Sequence, residues 1–81
     1  MFKSLKQIIN LLKNQKISLS VAESCTGGML AQAITSVNGA SEVFKFGIIT
    51  YSNQSKIKYL KIPLEIIKKY GSVSQECCRS M

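Results

Sequence analysis

A short apolar run that leads into a turn rich in hydroxyls and glycines is the feature that most constrains how this chain folds. Residues 17–22 alternate larger apolar side chains with small or polar ones, which predicts a β-strand. Residues 29–37 carry apolar side chains at helical spacing, which predicts an α-helix. The segment between them, residues 23–28, reads ESCTGG and must turn the chain sharply from the strand into the helix.

This turn places nucleophilic side chains at the start of a helix. Backbone N–H groups in the first helical turn lack partners within the helix, and together with the helix dipole they attract an anion or a developing negative charge. Ser24 and Cys25 are therefore candidate nucleophiles beside a candidate anion site. The alternative is that the turn has only a structural role, in which Ser24 or Thr26 caps the helix.

The composition bounds the classes of protein that the chain can represent. Its 81 residues allow at most one small domain, and 46% hydrophobic residues are typical of a globular chain. No apolar run approaches the roughly 18 residues of a membrane span, and the amino terminus lacks a secretory signal, so we expect a cytoplasmic protein without a membrane partner. The net charge of +7 allows an anionic small ligand, whereas the dispersed lysines argue against nucleic acid.

The absence of histidine and aspartate excludes several kinds of active site. A Ser-His-Asp or Cys-His site cannot be assembled from this chain alone, and neither can a histidine-ligated zinc site. The three cysteines, at positions 25, 77 and 78, form neither a disulfide framework nor a metal-binding motif. A base for Ser24 must therefore be a lysine, a glutamate, a tyrosine or Cys25, and a lysine qualifies once its surroundings favour the neutral amine.

The remaining sequence predicts further helices and a second strand. Residues 4–15 carry an amphipathic helical stripe with Ser4 as its cap, and residues 43–51 predict a strand whose centre, residues 46–49, is apolar on both faces and therefore buried. Three short helices follow, over residues 53–60 with Ser52 or Asn53 as the cap, over residues 64–70 between Pro63 and Gly71, and from Ser74 onward.

A strand, a helix and a second strand in this order predict a crossover unit with parallel strands. A parallel sheet is normally covered on both faces and paired at its edges, and two strands do not complete one. The predicted fold class is therefore α/β, as a truncated three-layer α/β/α domain with two strands and several short helices.

Lys56 is the lysine with the best sequence context for a base. It follows the second strand closely, and parallel strands end at the same edge of a sheet, where ligands usually bind. Ser24 and Lys56 would meet there, and Tyr51 and Asn53 would add hydrogen-bonding groups to the same crevice. Strand alternation directs Ser24 into this crevice and Cys25 into packing. The alternative left open is that Lys56 is a solvated helix residue like the other lysines.

Three motifs closely resemble the CinA C-terminal domain family, the nicotinamide-nucleotide amidohydrolases or nicotinamide mononucleotide deamidases. They are AESCTGG at residues 22–28, TYSN at residues 50–53 with Lys56 three residues on, and YGSVS at residues 70–74. They occur in order and without gaps across nearly all of the chain. The resemblance implies that residues 1–81 are the N-terminal portion of such a domain, with a three-layer α/β fold.

The resemblance also implies an activity and a catalytic pair. The family hydrolyses the carboxamide of nicotinamide mononucleotide to nicotinate mononucleotide and ammonia, so the implied substrate is a pyridine nucleotide. The resemblance implies no cofactor and no metal. It does imply a tendency to form homo-oligomers. The family's serine–lysine pair corresponds to Ser24 and Lys56. The amides of Thr26, Gly27 and Gly28 would then bind the substrate phosphate or stabilise the oxyanion, and the sequence leaves this choice open.

The sequence also departs from the family pattern. The family domain continues into further strands and a glycine-rich loop of the GIAGP type, and neither is present in these 81 residues. Two other functions therefore stand beside the amidohydrolase. One is an inactive remnant or subunit that binds a nucleotide or a second chain supplying the missing half. The other is a small basic nucleic-acid-binding protein, which only the charge of +7 supports.

Overall fold

Two parallel strands and five helices form the fold in the computed structural model, which describes residues 2–81 and the side chains from residue 4 onward. In chain order the elements are α1 (Phe2–Gln15), β1 (Leu19–Glu23), α2 (Met29–Thr35), a short 3-10 helix (Ala40–Glu42), β2 (Phe44–Ile49), α3 (Asn53–Leu60), α4 (Leu64–Tyr70) and α5 (Gln75–Ser80). The predicted α/β class is confirmed. Within residues 2–81, none of the helices has both the length and the apolarity that crossing a membrane requires.

The end of α1 explains why β1 begins later than its alternating pattern. The N–H of Ile17 donates to the carbonyl of Leu12 at 2.9 Å, and the N–H of Lys16 donates to the carbonyl of Lys13 at 3.2 Å. These bonds form a Schellman motif, whose left-handed residue is Lys16 with a φ of 57°. Ile17 therefore completes the helix end. The expectation that Ser4 caps α1 is wrong, because the helix begins at Phe2.

Side-chain caps fix the starts of the later helices as predicted. The hydroxyl of Ser52 accepts a hydrogen bond from the amide of Ser55 at 3.1 Å, and α3 begins at the next residue. The hydroxyl of Ser74 accepts from the amide of Cys77 at 3.1 Å and starts α5 in the same way. Each such cap contributes about 1 kcal/mol to helix stability. Gly71, with a φ of 83°, ends α4.

The register between the strands changes at the start of β2. Leu19 pairs with Phe44 and Ser20 pairs with Phe46, so Lys45 has no partner residue on β1. The extra residue sends the two phenylalanines to opposite faces of the sheet. Phe44 packs against the cluster below the sheet, whereas Phe46 lines a groove above it.

Two separate apolar clusters hold the chain together. The first lies between α1, α2 and one face of the sheet and is built from Ile9, Ile34, Ala40 and Val43. The second lies among α3, α4 and α5 and is built from Ile62, Ile67 and Cys77. The radius of gyration is 14.5 Å, against about 12 Å expected for a compact domain of this length. The described residues therefore form an elongated body with two small cores.

The prediction that residues 46–49 of β2 are buried is wrong. Phe46 is 58% exposed, and Ile49 is also exposed. The apolar pattern on both faces of β2 is typical of a strand covered on both sides, but Phe46 lies on one face and Ile49 on the other. Among residues 2–81, both faces of β2 therefore keep exposed apolar surface.

We predict that the isolated 81-residue chain associates through its open strand edges and its uncovered sheet face. Sedimentation velocity should show a mass that rises with protein concentration, and circular dichroism should show a broad thermal transition. A clean monomer in dilute solution with one cooperative transition would contradict this prediction.

Candidate functional site

The turn after β1 and the segment after β2 meet at the carboxyl edge of the sheet. The N–H of Thr50 donates to the carbonyl of Glu23 at 2.8 Å, which joins the first residue past β2 to the last residue of β1. Ser24 follows Glu23 directly, and α3, which carries Lys56, begins three residues after Thr50. The parallel strands therefore bring the Ser24 turn and the start of α3 to the same edge of the sheet, whereas among the described residues no hydrogen bond joins the side chains of Ser24 and Lys56.

Lys56 is buried at this edge, with 2% of its surface exposed. Its Nζ donates to the carbonyl of Thr50 at 2.8 Å and to the carbonyl of Tyr51 at 3.1 Å. The early start of α3 after Ser52 allows this contact, because Lys56 then lies in the first helical turn and its side chain reaches back to the end of β2. Lys56 is thus not the solvated lysine of the alternative interpretation, whereas Lys58 is exposed.

The end of β1 creates the place that Lys56 fills. If the parallel ladder continued, the carbonyl of Thr50 would accept the amide of Cys25 on β1. The chain turns away at Ser24, so this carbonyl needs another donor in a buried setting. The amine of Lys56 provides it. A tetrahedral amine that is bound to two carbonyls has one remaining position, which is an N–H when charged and a lone pair when neutral.

Glu23 is a central residue of the site that the sequence-based predictions did not include. Its carboxylate is 4% exposed, and it accepts from the hydroxyl of Thr26 at 2.6 Å and from the amides of Leu30 and Ala31 at 2.9 and 3.0 Å. The anion at the start of α2 is therefore a side chain of the protein itself. The signal in the sequence was a charged residue in register with the apolar face of β1, immediately before a glycine turn.

The surroundings of Glu23 favour its charged form. The hydrogen bond from the Thr26 hydroxyl lowers the pKa of the Glu23 carboxyl, burial raises it, and the amides of Ala31, Leu30 and Gly28 lower it further. The net result is a pKa below the usual range for glutamate. Glu23, charged at neutral pH, therefore holds the Ser24 turn against the start of α2.

The backbone of the turn favours glycine at both positions, and at Gly28 a neighbouring side chain also lies close. Gly27 and Gly28 have φ angles of 60° and 102°, a region that other residues seldom adopt. A Cβ atom on Gly28 would lie 2.9 Å from Cδ1 of Ile49. These glycines therefore shape the turn whether or not a ligand binds there.

The free backbone donors of the turn differ from those expected. The amide of Gly27 donates to the carbonyl of Ser24 at 3.1 Å, and the amide of Gly28 acts on the Glu23 carboxylate. Among the residues that the structure describes, no acceptor is assigned to the amides of Cys25 and Thr26. The amide of Ser24 likewise has no acceptor among these residues, so three consecutive amides lack a partner, and of these only Thr26 was predicted.

The expectation that Cys25 faces packing is wrong, because its side chain is exposed, while Ser24 is half-buried. Strand alternation stops applying at Glu23, where β1 ends and the turn begins. Tyr51 and Asn53 lie at the same edge, as predicted, and both are exposed, Tyr51 by 73%. Their side chains are open to a ligand, and the carbonyl of Tyr51 holds Lys56.

We predict that Glu23→Gln lowers the melting temperature at neutral pH. As the pH falls, the variant should lose less thermal stability than wild type does. Because the folded-state pKa of Glu23 is lowered, its stabilising effect is complete above the unfolded-state value of about 4.3 and disappears as the pH falls through the folded-state pKa. Thermal denaturation should show a difference in melting temperature between wild type and variant that is smaller at pH 3 than at pH 7. Glu65→Gln, at an exposed position of α4, is the matched control. An equal gap at both pH values would contradict the assignment.

Comparison with known protein families identifies the relatives of this chain. The model of the CinA C-terminal domain family matches residues 2–81. A CinA-like protein of Dictyoglomus turgidum is 49% identical over 74 residues, which are 91% of this chain and 18% of the relative. A putative competence-damage inducible protein of Alkaliphilus oremlandii is 48% identical over 79 residues, which are 96% of this chain and 19% of the relative.

Solved structures show the same fold. The competence/damage inducible protein CihA of Agrobacterium tumefaciens is 34% identical with a TM-score of 0.93, and the match covers 99% of this chain and 49% of that one. A CinA superfamily protein of Escherichia coli is 27% identical with a TM-score of 0.91, and the match covers 99% of this chain and 47% of that one. This chain thus spans about half the length of these solved relatives and about a fifth of the curated ones.

Proposed function

This chain belongs to the CinA C-terminal domain family, and we propose that, once joined to the remainder of that domain, its Ser24 and Lys56 hydrolyse the carboxamide of a pyridine nucleotide. The proposed substrate is nicotinamide mononucleotide, and the products are nicotinate mononucleotide and ammonia. The observation that carries the proposal is the buried amine of Lys56, held by two backbone carbonyls next to the Ser24 turn.

Two carbonyl acceptors fix the direction in which the amine of Lys56 can accept a proton. In the neutral amine, the two N–H bonds point at the carbonyls of Thr50 and Tyr51, so the lone pair must occupy the remaining tetrahedral position. The amine therefore cannot rotate its lone pair away without losing a hydrogen bond. A base with a fixed direction loses little orientational freedom when it takes a proton from a nearby hydroxyl.

The proposed reaction proceeds through an ester on Ser24. The hydroxyl oxygen of Ser24 attacks the carboxamide carbon while Lys56 takes the hydroxyl proton, and the resulting tetrahedral adduct collapses when Lys56 protonates the departing nitrogen. The carbon–nitrogen bond breaks and ammonia leaves. Water, deprotonated by the same amine, then attacks the ester, which releases the carboxylate product and restores the Ser24 hydroxyl.

The charge at the start of α2 favours an oxyanion role over phosphate binding for the turn. The carboxylate of Glu23 already occupies the N–H groups of Leu30 and Ala31, so a phosphate there would meet a fixed negative charge. The free amides of residues 24–26 remain for a transient oxyanion, which develops a smaller charge and only during the reaction. We assign the substrate phosphate to a different part of the complete domain.

We predict that Ser24→Ala removes activity, whereas Cys25→Ala keeps most of it. The test uses this chain fused to the segment of the Agrobacterium tumefaciens relative that it does not cover, with ammonia release from nicotinamide mononucleotide as the readout. Loss of the nucleophile should reduce kcat by about a thousandfold or more, whereas the thiol of Cys25 is exposed and has no role in the proposed reaction. An inactive Cys25→Ala with an active Ser24→Ala would move the chemistry to the thiol.

We also predict that Lys56→Arg inactivates the same fusion even though the positive charge is kept. A guanidinium does not lose its proton at neutral pH and cannot act as a base. Lys58→Arg is the matched control, because Lys58 is exposed and lies two residues along the same helix. This substitution should leave the activity almost unchanged. Full activity of Lys56→Arg would show that the base lies elsewhere.

A further inference from the structure

The Ser24 turn is closed by a hydrogen bond between two of its own side chains. The hydroxyl of Thr26 donates to a carboxylate oxygen of Glu23 at 2.6 Å. This length is typical of a strong hydrogen bond from a hydroxyl to an ionised oxygen. Because Ser24 and Cys25 lie between these two residues in the chain, the bond closes a ring that contains the candidate nucleophile.

The free backbone donors of the site belong to the same ring. The amides of residues 24–26 have no acceptor among the residues that the structure describes. Neighbouring amides can bind one external oxygen together only while the backbone keeps them directed at one point. The amide of Gly27 binds the carbonyl of Ser24 at 3.1 Å, which fixes the turn internally. The hydroxyl of Thr26 adds a bond to a residue of β1, and thereby fixes the turn relative to the sheet.

The carboxylate that accepts this bond is held by several elements. Glu23 is 4% exposed, and its carboxylate also accepts the amides of Leu30 and Ala31 at 2.9 and 3.0 Å. Its backbone carbonyl accepts the amide of Thr50 at 2.8 Å. Thr26, in contrast, is exposed, so its hydroxyl could bind water. The hydroxyl instead takes its direction from a buried group that is fixed by β1, α2 and the end of β2.

We propose that Thr26 is a positioning residue for the hydrolysis: its hydroxyl binds Glu23 and thereby directs the amides of residues 24–26 toward the oxyanion, without contacting the substrate. This role rests on the proposed function, since the oxyanion forms in that reaction. A threonine hydroxyl carries one proton, and the bond to Glu23 uses it. Thr26 therefore has no hydroxyl proton left for a substrate oxygen.

Loss of this bond should affect the transition state more than the bound substrate. Directed amides bind the oxyanion far more strongly than the neutral carboxamide oxygen, because the negative charge develops only during the reaction. Removal of a whole oxyanion donor costs about 100- to 1000-fold in kcat. A turn that keeps its amides but loses their direction should lose less, about 10- to 100-fold.

The kinetic test compares Thr26→Val with Thr26→Ser in the fusion to the Agrobacterium tumefaciens segment, with ammonia release as the readout. Valine keeps the shape of threonine without the hydroxyl, whereas serine keeps the hydroxyl. We expect Thr26→Val to lower kcat at least about tenfold while KM changes less than about twofold, and Thr26→Ser to stay near the wild-type kcat. Thr35→Val is the matched control, because Thr35 is exposed on α2 and its hydroxyl binds two carbonyls of that helix. It should leave kcat and KM unchanged.

A titration tests the hydrogen bond without any need for activity. The hydroxyl of Thr26 is the largest influence that lowers the pKa of the Glu23 carboxyl, because it stabilises the charged form. In the fusion with isotope-labelled glutamate, NMR should therefore show a higher pKa for Glu23 in Thr26→Val than in wild type, and an unchanged pKa in Thr26→Ser. An equal pKa in wild type and Thr26→Val would overturn the proposal whether or not the fusion is active.

The kinetic outcomes separate the positioning role from the proposed function. A wild-type kcat in Thr26→Val would overturn the role of Thr26, and so would a raised KM alone, which would make Thr26 a substrate contact. Loss of activity in Ser24→Ala together with full activity in Thr26→Val would leave the proposed function standing and overturn only the role of Thr26. Activity that survives Ser24→Ala would instead contradict the proposed function, because the oxyanion would then form on another nucleophile.

Discussion

The buried carboxylate of Glu23 is the interaction on which the rest of the site depends. Its side chain accepts the first free amides of α2, and its backbone carbonyl accepts the amide of Thr50 beyond β2. One residue thus joins β1, α2 and the end of β2. A helix start normally attracts a negative charge, and here the protein supplies that charge itself, so the turn is tied to α2 without a ligand.

The position of Lys56 follows from the end of β1 at Glu23. Since β1 ends at Glu23, the carbonyl of Thr50 has no strand partner and is satisfied by the lysine amine. Two backbone carbonyls hold the buried amine of Lys56, and the Glu23 carboxylate holds the turn that carries the half-buried Ser24, in a chain without histidine or aspartate. The geometry of the candidate pair is therefore a consequence of where a strand stops.

The described elements are held by two apolar clusters rather than by one core. The first lies between α1, α2 and the sheet, and the second lies among α3, α4 and α5. The candidate site lies between them, at the carboxyl edge of the sheet, where the amide of Thr50 binds the carbonyl of Glu23. The site therefore depends on hydrogen bonds at the strand ends more than on packing in either cluster.

Local sequence patterns determined the α/β class, the strand–turn–helix around Ser24, the caps at Ser52 and Ser74, and Lys56 as the leading candidate for a base. These depend on spacing and on contacts within a few residues, which the sequence states directly. Only the tertiary structure decided that Glu23 is the anion at α2, that Cys25 is exposed and that the centre of β2 is uncovered. Those outcomes depend on where β1 stops and on which elements lie against the sheet, and hydrogen bonds and packing between distant segments set both.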